Sequence, residues 1–356
     1  MGVHENLKLQ SGKIKIPRIS DVAGLAGVSI ATVSRTLSHP DMVSAEARAR
    51  VQAAIQSTGY SPNPTARALR GAGGNLALVV VPNLITPFFS ELLQHIDRAL
   101  SRRGFALLVG NLDDDGEKAQ RLADLAYGGQ VAGAILLNGS VLCGRRGLVG
   151  NGILPAVAVS QPFDRDIPSM LLDESHAIGL AFDHLSGLGH RWLGYLSGPA
   201  RDPVDDLRWR ALQTCADGAG GPKPVRFEGD FEMGSGVDAA NAYLAMPRHP
   251  TAIVAASDAM AIGFISAVHA AGLDVPGDVS VTGFDGIAMA DIIQPHLTTV
   301  IQPQIEIAEY AVAALAAQIK GRTGVASRVL RAQLRIGGST SPPRRSFDEN
   351  RSFMEP

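Results

Sequence analysis

Apolar residues recur at helical spacing over Ile19, Val22, Ala23 and Ala26, and again at Val33 and Leu37, with small or polar residues between them. The two runs predict a pair of short helices that share an apolar face. Ser20 or Asp21 can cap the first helix and Ser29 the second. Gly27 falls between them, where a sharp turn needs a residue that reaches positive φ at little cost. Val28 fills that turn, and Ala23 and Ala26 are small enough for close approach. After a turn at residues 40–43, Ser44 caps a third predicted helix, residues 45–57, with Val51, Ala54 and Ile55 on one face and Gly59 as its stop. Such an arrangement is a helix-turn-helix, whose second helix enters the DNA major groove. Ile30, Ala31, Ser34 and Arg35 fall away from the packed face and are candidate base readers. Ser20, Ser29 and Thr32 are further candidate DNA contacts. The plain alternative is an ordinary pair of packed helices.

From Leu76 the period changes. Continuous apolar runs alternate with amphipathic stretches: 76–81, 105–109, 133–137, 156–159 and 170–172 read as strands, with helices over 88–103 and 117–126. The alternation restarts with a helix over 178–188, a strand over 192–196, and further pairs as far as a strand over 279–282. Runs apolar throughout are those of strands buried on both faces, and strand–helix alternation implies parallel sheets with right-handed crossovers. Two such runs predict two doubly wound subdomains after an all-α head, an α/β chain overall. Ligands in such sheets bind beyond the carboxyl ends of the strands, which places a small-molecule cleft between the two.

Polar residues at those strand ends are Asn83, Asn111 with Asp113, Asn138, Ser160 with Gln161, Ser257 with Asp258, Asp285 and Gln302. Each could instead be a turn former or helix cap. Together they form a ring around one crevice, and Phe88 can supply an apolar wall. That combination suits a sugar ring, with an apolar C–H face and hydroxyls that need fixed partners.

Charge sharpens the picture. Residues 12–71 carry eight Lys or Arg against three acids, a net +5, while residues 72–356 carry −7. A basic head on an acidic body localises polyanion contact to the N-terminal unit. No apolar run is long enough to span a bilayer and the N-terminus lacks a secretory core, so a cytoplasmic protein is expected. Cys143 and Cys215 stand apart without metal-type spacing, as two reduced thiols. There is no phosphate-binding GxxxxGK[ST] loop and no GxSxG elbow, and the glycines of 71–74 precede a strand instead of following one. His184 and His190 flank a helix end and read as structural. No enzyme activity, cofactor or metal is expected.

Several long segments, DVAGLAGVSIATVSRTL, GYSPNPTARALR, HLSGLGHRWLGYLSGP, ASDAMAIGFISAVHAAGLDVPGDVSVTGFDG and LTTVIQP, occur in one order over residues 16–342. In these the chain resembles the lactose-repressor/galactose-repressor family of bacterial transcription regulators. The resemblance implies a periplasmic-binding-protein-like core whose chain crosses between subdomains three times, near 172–173, 300–303 and 327–328. The implied division is an extension over 1–15, the helix-turn-helix domain over 16–62, and a hinge helix and linker over 63–74. An N-subdomain then takes 75–172 plus 303–327, a C-subdomain 173–302 plus 328–342, and a disordered tail 343–356. Asn63, Ala66, Arg67 and Leu69 fall on the hinge helix that orders on operator DNA, with Leu69 as the wedge that enters the minor groove. The family's effector contacts fall on Ser160, Asp205, Ser257 and Asp285. Ser160 stands where members usually carry Asp, Ser257 where they carry Asn, and Asp205 where they carry Arg; Arg201 or Arg208 could fill that cationic role.

The expected protein is therefore a transcriptional regulator, a repressor that binds a palindromic operator as a homodimer and answers to a small sugar, polyol or nucleoside-like effector. With Asp205 in the cleft, anionic effectors would meet like charge. The alternative is a stand-alone sugar-binding protein of the periplasmic type without DNA function, which the basic head and the missing signal peptide disfavour.

Overall fold

The computed structural model describes residues 17–38, 40–60, 74–112, 116–137, 154–160 and 167–344. The hinge candidates Asn63, Ala66, Arg67 and Leu69, and Asp113, Asn138 and Gln161, lie outside them. The chain divides into two compact units, Met1–Gly74 and Asn75–Pro356.

The first unit is built from α1 (Ile19–Ala26), α2 (Ile30–Ser38) and α3 (Ala45–Thr58). Val22, Ala23, Ala26, Val33, Val51 and Ala54 form its core, with Ile19, Leu37 and Tyr60 packed around them. Gly27 sits at φ 62°, which lets the Val28 N–H fold back onto the Ala23 carbonyl at 3.1 Å. Ser29 Oγ accepts from Thr32 N at 3.1 Å and Ser44 Oγ from Ala47 N at 3.4 Å, so both act as caps. The first helix departs from expectation. Its N-cap is Arg18, whose N–H donates to Asp21 Oδ2 at 2.8 Å, so Asp21 reaches back from inside the helix and Ser20 lies beyond the cap.

Among the described residues, the second unit holds two six-stranded sheets. In the first, β1 (Leu76–Val81), β2 (Ala106–Asn111), β3 (Gly133–Leu136), β4 (Ala156–Val159), β5 (Ser169–Leu172) and β11 (Arg328–Leu330) are all parallel, in the order β11-β5-β4-β3-β1-β2. In the second, β6 (Leu193–Leu196), β7 (Val225–Phe227), β8 (Ala252–Ala255), β9 (Ser280–Asp285), β10 (Thr298–Ile301) and β12 (Gln333–Arg335) run β12-β10-β9-β8-β6-β7, parallel apart from β12. Helices α4 (Pro87–Ser101), α5 (Gly116–Tyr127) and α10 (Gln304–Ile319) flank the first sheet. Helices α6 (Glu174–Gly187), α7 (Pro203–Gly218), α8 (Met233–Leu244) and α9 (Asp258–Ala270) flank the second.

The chain passes between sheets after β5, after β10, and between β11 and β12. The third passage is at Arg331–Ala332 and not at 327–328, because Arg328–Leu330 pairs with Met170–Leu172 and completes the edge of the first sheet. Helix α10 returns to the first sheet, packed on α4, β3 and β4. Pro343 and Arg344, assigned to the tail by sequence, belong to the second lobe: Arg344 donates to Asp278 at 2.6 Å and Pro343 lies against Gly189.

A strap before them is pinned by histidine. His190 Nε2 lies 2.9 Å from the Ser341 carbonyl, which can only accept, so Nε2 carries the proton and Nδ1 accepts from the Thr251 hydroxyl at 2.8 Å. Burial lowers the His190 pKa below 6.5 despite the Ser341 contact. The folded state thus binds fewer protons than the unfolded one, and stability should fall as pH drops below about 6.5. Urea titrations at pH 7.5 and 5.5 should show a loss of at most about 1.4 kcal/mol per pH unit from this residue, and His190→Gln should flatten that slope.

Candidate functional site

The carboxyl ends of β1, β3, β4, β6, β8, β9 and β10 open onto one cleft of about 610 Å³. Of the residues singled out by sequence, Asn83, Phe88, Ser160, Asp285 and Gln302 line it. Arg201 and Arg208, the cations the sequence offered for the site, line it too, as do Phe89 and Phe231. Asn83 Oδ1 accepts from Thr86 N at 3.0 Å and from its hydroxyl at 2.8 Å, which orders the turn into α4 and presents Phe88. Gln302 Nε2 donates to Asp285 Oδ1 at 2.8 Å.

The backbone is unusual at this place. Ser160 (φ 75°), Arg201 (φ 67°), Phe231 (φ 70°) and Asp285 (φ 116°) are the non-glycine residues with left-handed backbone among those described, and all four line the cleft. Each such residue costs of order 1 kcal/mol and persists only where its surroundings hold it. Gly198 shows how tight the wall is: a Cβ there would meet the Phe231 ring at 2.1 Å, so glycine is what lets this ring lie on the backbone after β6.

Arg208, 5% exposed, is a buried cation of the wall. Its Nε donates to Glu174 Oε2 at 2.8 Å, Nη1 donates to the Ala256 carbonyl at 2.8 Å, and its guanidinium lies 3.7 Å from the Phe284 ring centroid. Burial works against its charge, but Glu174 outweighs it and holds the pKa above the ordinary guanidinium value. Asp285 is pushed well above the usual carboxylate range by burial, with Arg208 opposing and Asp258 reinforcing the shift.

Asn111, Asp205, Ser257 and Asp258 lie outside the lining. Asp205 is fully buried behind it, accepting from the Tyr195 hydroxyl at 2.7 Å, Gly198 N at 2.6 Å and Arg226 at 2.9 Å. It braces the Gly198 turn, and the expected repulsion of anions by Asp205 has no basis in this geometry. Of the two arginines the sequence offered for the cationic role, Arg201 and Arg208, both line the cleft, and Arg208 is the buried one. Ser257 caps α9, accepting from Met260 N at 3.1 Å. Asp258 accepts from Gly286 N and Ile287 N at 2.8 Å each and from the Thr299 hydroxyl at 2.5 Å, holding the loop that follows Asp285. Burial pushes its pKa up to about 7. Asp205→Asn should cost about 1–3 kcal/mol in urea unfolding, since the amide nitrogen would face the Arg226 guanidinium, donor against donor, where a carboxylate oxygen now accepts. Sequence reasoning did not reach Glu174 or Phe231. Glu174 is the first residue of a helix expected four residues later, and Phe231 sits in a polar loop without periodicity.

In the first unit Ser20, Ser29, Ile30, Ala31 and Arg35 are exposed, with Ile30 at 50%, while Thr32 and Ser34 are half-buried. Thr32 and Ser29 share a hydroxyl hydrogen bond at 2.9 Å, so these two serve the helix start. Ile30, Ala31, Ser34 and Arg35 occupy one face of α2, opposite buried Val33.

Residues 18–63 match the model of bacterial regulatory proteins of the lacI family, and residues 182–340 that of the periplasmic binding protein-like domain. The chain is 34% identical over 329 residues to the HTH-type transcriptional repressor CytR of Escherichia coli K12, covering 90% of this chain and 96% of that one. The chain belongs to the LacI family. It is 33% identical over 300 residues to the ribose operon repressor of the same organism, 83% of this chain and 90% of the other. The solved lac repressor dimer bound to operator and the anti-inducer ONPF superposes with a TM-score of 0.77 at 25% identity, over 92% of this chain and all of that one. The complex of the transcriptional regulator CelR with cellobiose does so with a TM-score of 0.67 at 28% identity, over 91% and 99%. No helix among the described residues is long and apolar enough to cross a membrane.

Proposed function

We propose that this LacI-family regulator is a repressor that binds a palindromic operator as a homodimer. In this reading, a small neutral ring compound, a sugar, polyol or nucleoside, occupies the interlobe cleft and sets DNA affinity. The observation that carries the effector site is the gathering of Ser160, Arg201, Phe231 and Asp285, all with left-handed backbone, around one cavity. Strain held at one crevice and nowhere else among the described residues points to a site kept for binding. Phe88, Phe89 and Phe231 supply apolar faces, while Asn83, Asp285 and Gln302 supply partners for hydroxyls. The DNA reading is supported by α2, whose exposed face is short, apolar at Ile30 and basic at Arg35. Relatives point the same way: the lac repressor structure is a dimer on operator DNA and the CelR structure holds cellobiose. The match of residues 18–63 to the lacI-family model weighs against the stand-alone binding-protein alternative.

The test is a thermal-shift screen of the full chain with sugars, polyols, sugar acids and nucleosides. A ligand at a hundred times its Kd should stabilise by about 2.7 kcal/mol. Anisotropy on palindromic DNA should then change with that ligand and weaken steeply with salt. Salt-independent DNA binding, untouched by any compound that shifts the melt, would overturn the reading.

A further inference from the structure

We propose that Glu174 sets the charge preference of the cleft by neutralising Arg208, so that the cleft refuses anionic ligands although an arginine lines it. The inference rests on the reading of the cleft as the effector site and names the chemical class that site excludes.

An arginine at the wall of a binding cleft is ordinarily a receptor for carboxylate or phosphate, because its planar fork presents paired donors. Here the fork is already engaged. Glu174, 7% exposed, takes Nε at 2.8 Å and approaches Nη2 at 3.5 Å, while Nη1 goes to the Ala256 carbonyl at 2.8 Å. Phe284 covers the guanidinium at 3.7 Å. Both partners are nine-tenths buried, so water screens their attraction little. Beyond Arg208, the lining carries Asp202, Asp230 and Glu232 against Arg201, which is exposed. With Arg208 neutralised, the field in the cleft is negative. An anion would have to displace Glu174 from Arg208 against that field.

Glu174 is placed to do this by the chain path. It is the first residue of α6, directly after Asp173, whose carboxylate caps that helix at His176 N, 3.0 Å away. Asp173 N in turn donates to the Leu330 carbonyl at 2.9 Å on the edge of the first sheet. The carboxylate that discharges Arg208 is therefore fixed at the first passage between the lobes, and Arg208 is fixed on α7. The pair leaves two guanidinium hydrogens for neutral acceptors such as hydroxyl or carbonyl oxygens. It therefore still suits a neutral ring.

Inorganic phosphate is a probe that needs no knowledge of the effector. The full chain, Glu174→Gln, Glu174→Asp and the double variant Glu174→Gln/Arg208→Gln are titrated with phosphate at constant ionic strength. Binding is read from Trp209 emission, one residue from Arg208, and from the melting temperature. Glu174→Gln should gain saturable phosphate binding at least about tenfold tighter than wild type, since one unit charge is removed within contact distance of the guanidinium. Glu174→Asp, which keeps the charge, and the double variant, which lacks the arginine, should stay at the wild-type level. Equal phosphate affinity in wild type and Glu174→Gln overturns the proposal, as does a gain that survives in the double variant. If Glu174→Gln does not fold, the wild type decides: saturable phosphate binding with a response at Trp209 overturns it, and its absence up to tens of millimolar supports it. Failure of the effector reading is separate, since it shows as no neutral ligand in the melting screen whatever phosphate does.

Discussion

Arg208→Ala should lower folding stability by roughly 3–5 kcal/mol, because it leaves Glu174 buried without its counter-charge. The same change strips a partner from the Ala256 carbonyl and from Asp285, which Arg208 otherwise draws toward ionisation. Two origins of that loss can be separated. If the cost is the stranded carboxylate, Glu174→Leu combined with Arg208→Met should recover most of the stability, since an apolar pair of similar volume needs no solvation. If the cost is collapse of the wall around Phe284, the double variant should remain as unstable as the single one. Urea midpoints for Arg208→Met, Glu174→Leu and their double, with unchanged m-values, close the cycle, and Arg208→Ala gives the cost of the stranded carboxylate. The proposed effector should bind neither Arg208→Ala nor the double variant, because the donors facing the cleft are gone in both. A double variant that regains both stability and ligand binding would remove Arg208 from the site.

Much of this cleft is legible in the sequence, and the rest is hidden for definable reasons. Strand ends are visible because a buried parallel strand is an apolar run and its first polar residue marks where the run stops. That rule found Asn83, Ser160, Asp285 and Gln302, all in the cleft wall, while Asn111, chosen by the same rule, lies outside it. It also found Ser257 and Asp258, which stand at a strand end but face the backbone: Ser257 caps α9 and Asp258 ties Gly286, Ile287 and Thr299. A polar residue in that position has two competing uses, and sequence does not tell which amides point at it. Asp205 failed differently. The resemblance placed it in the cleft at an arginine position, but its carboxylate is consumed by Tyr195, Gly198 and Arg226 behind the wall, a use no motif displays. Glu174 was invisible because its partner lies 34 residues away on another helix. The third passage was misplaced by the same kind of limit: Arg328–Leu330 is too short and too exposed to read as a strand until β5 is there to pair with it.

On the DNA side, Arg35→Ala should cost about 1–3 kcal/mol of operator binding and relax one operator position. Arg35 follows Ala31 by four residues, so it stands about 6 Å further along α2 on the same face. Ser34 and Ile30 repeat that relation one step around the helix. The packed side is closed by Val33, fully buried, and by Thr36, 7% exposed, whose hydroxyl returns to the Thr32 carbonyl at 2.9 Å. What α2 offers a groove is thus one apolar side chain, one methyl, one hydroxyl and one guanidinium. Ile30 and Ala31 can only make apolar contact, such as with thymine methyls, while Arg35 can take both acceptors of a guanine edge. If it does, the loss in Arg35→Ala should concentrate at a single guanine in a set of singly substituted operators, and the salt slope should hold near its wild-type value. If Arg35 meets a phosphate instead, every operator should weaken alike and the slope should fall by about one. Ile30→Ala supplies the internal reference. It removes apolar contact without charge, so it should lower affinity at a thymine-bearing position and leave the slope untouched. A loss in Arg35→Ala spread evenly over all positions, with a shallower slope, would move sequence recognition away from this residue and onto Ile30, Ala31 and Ser34.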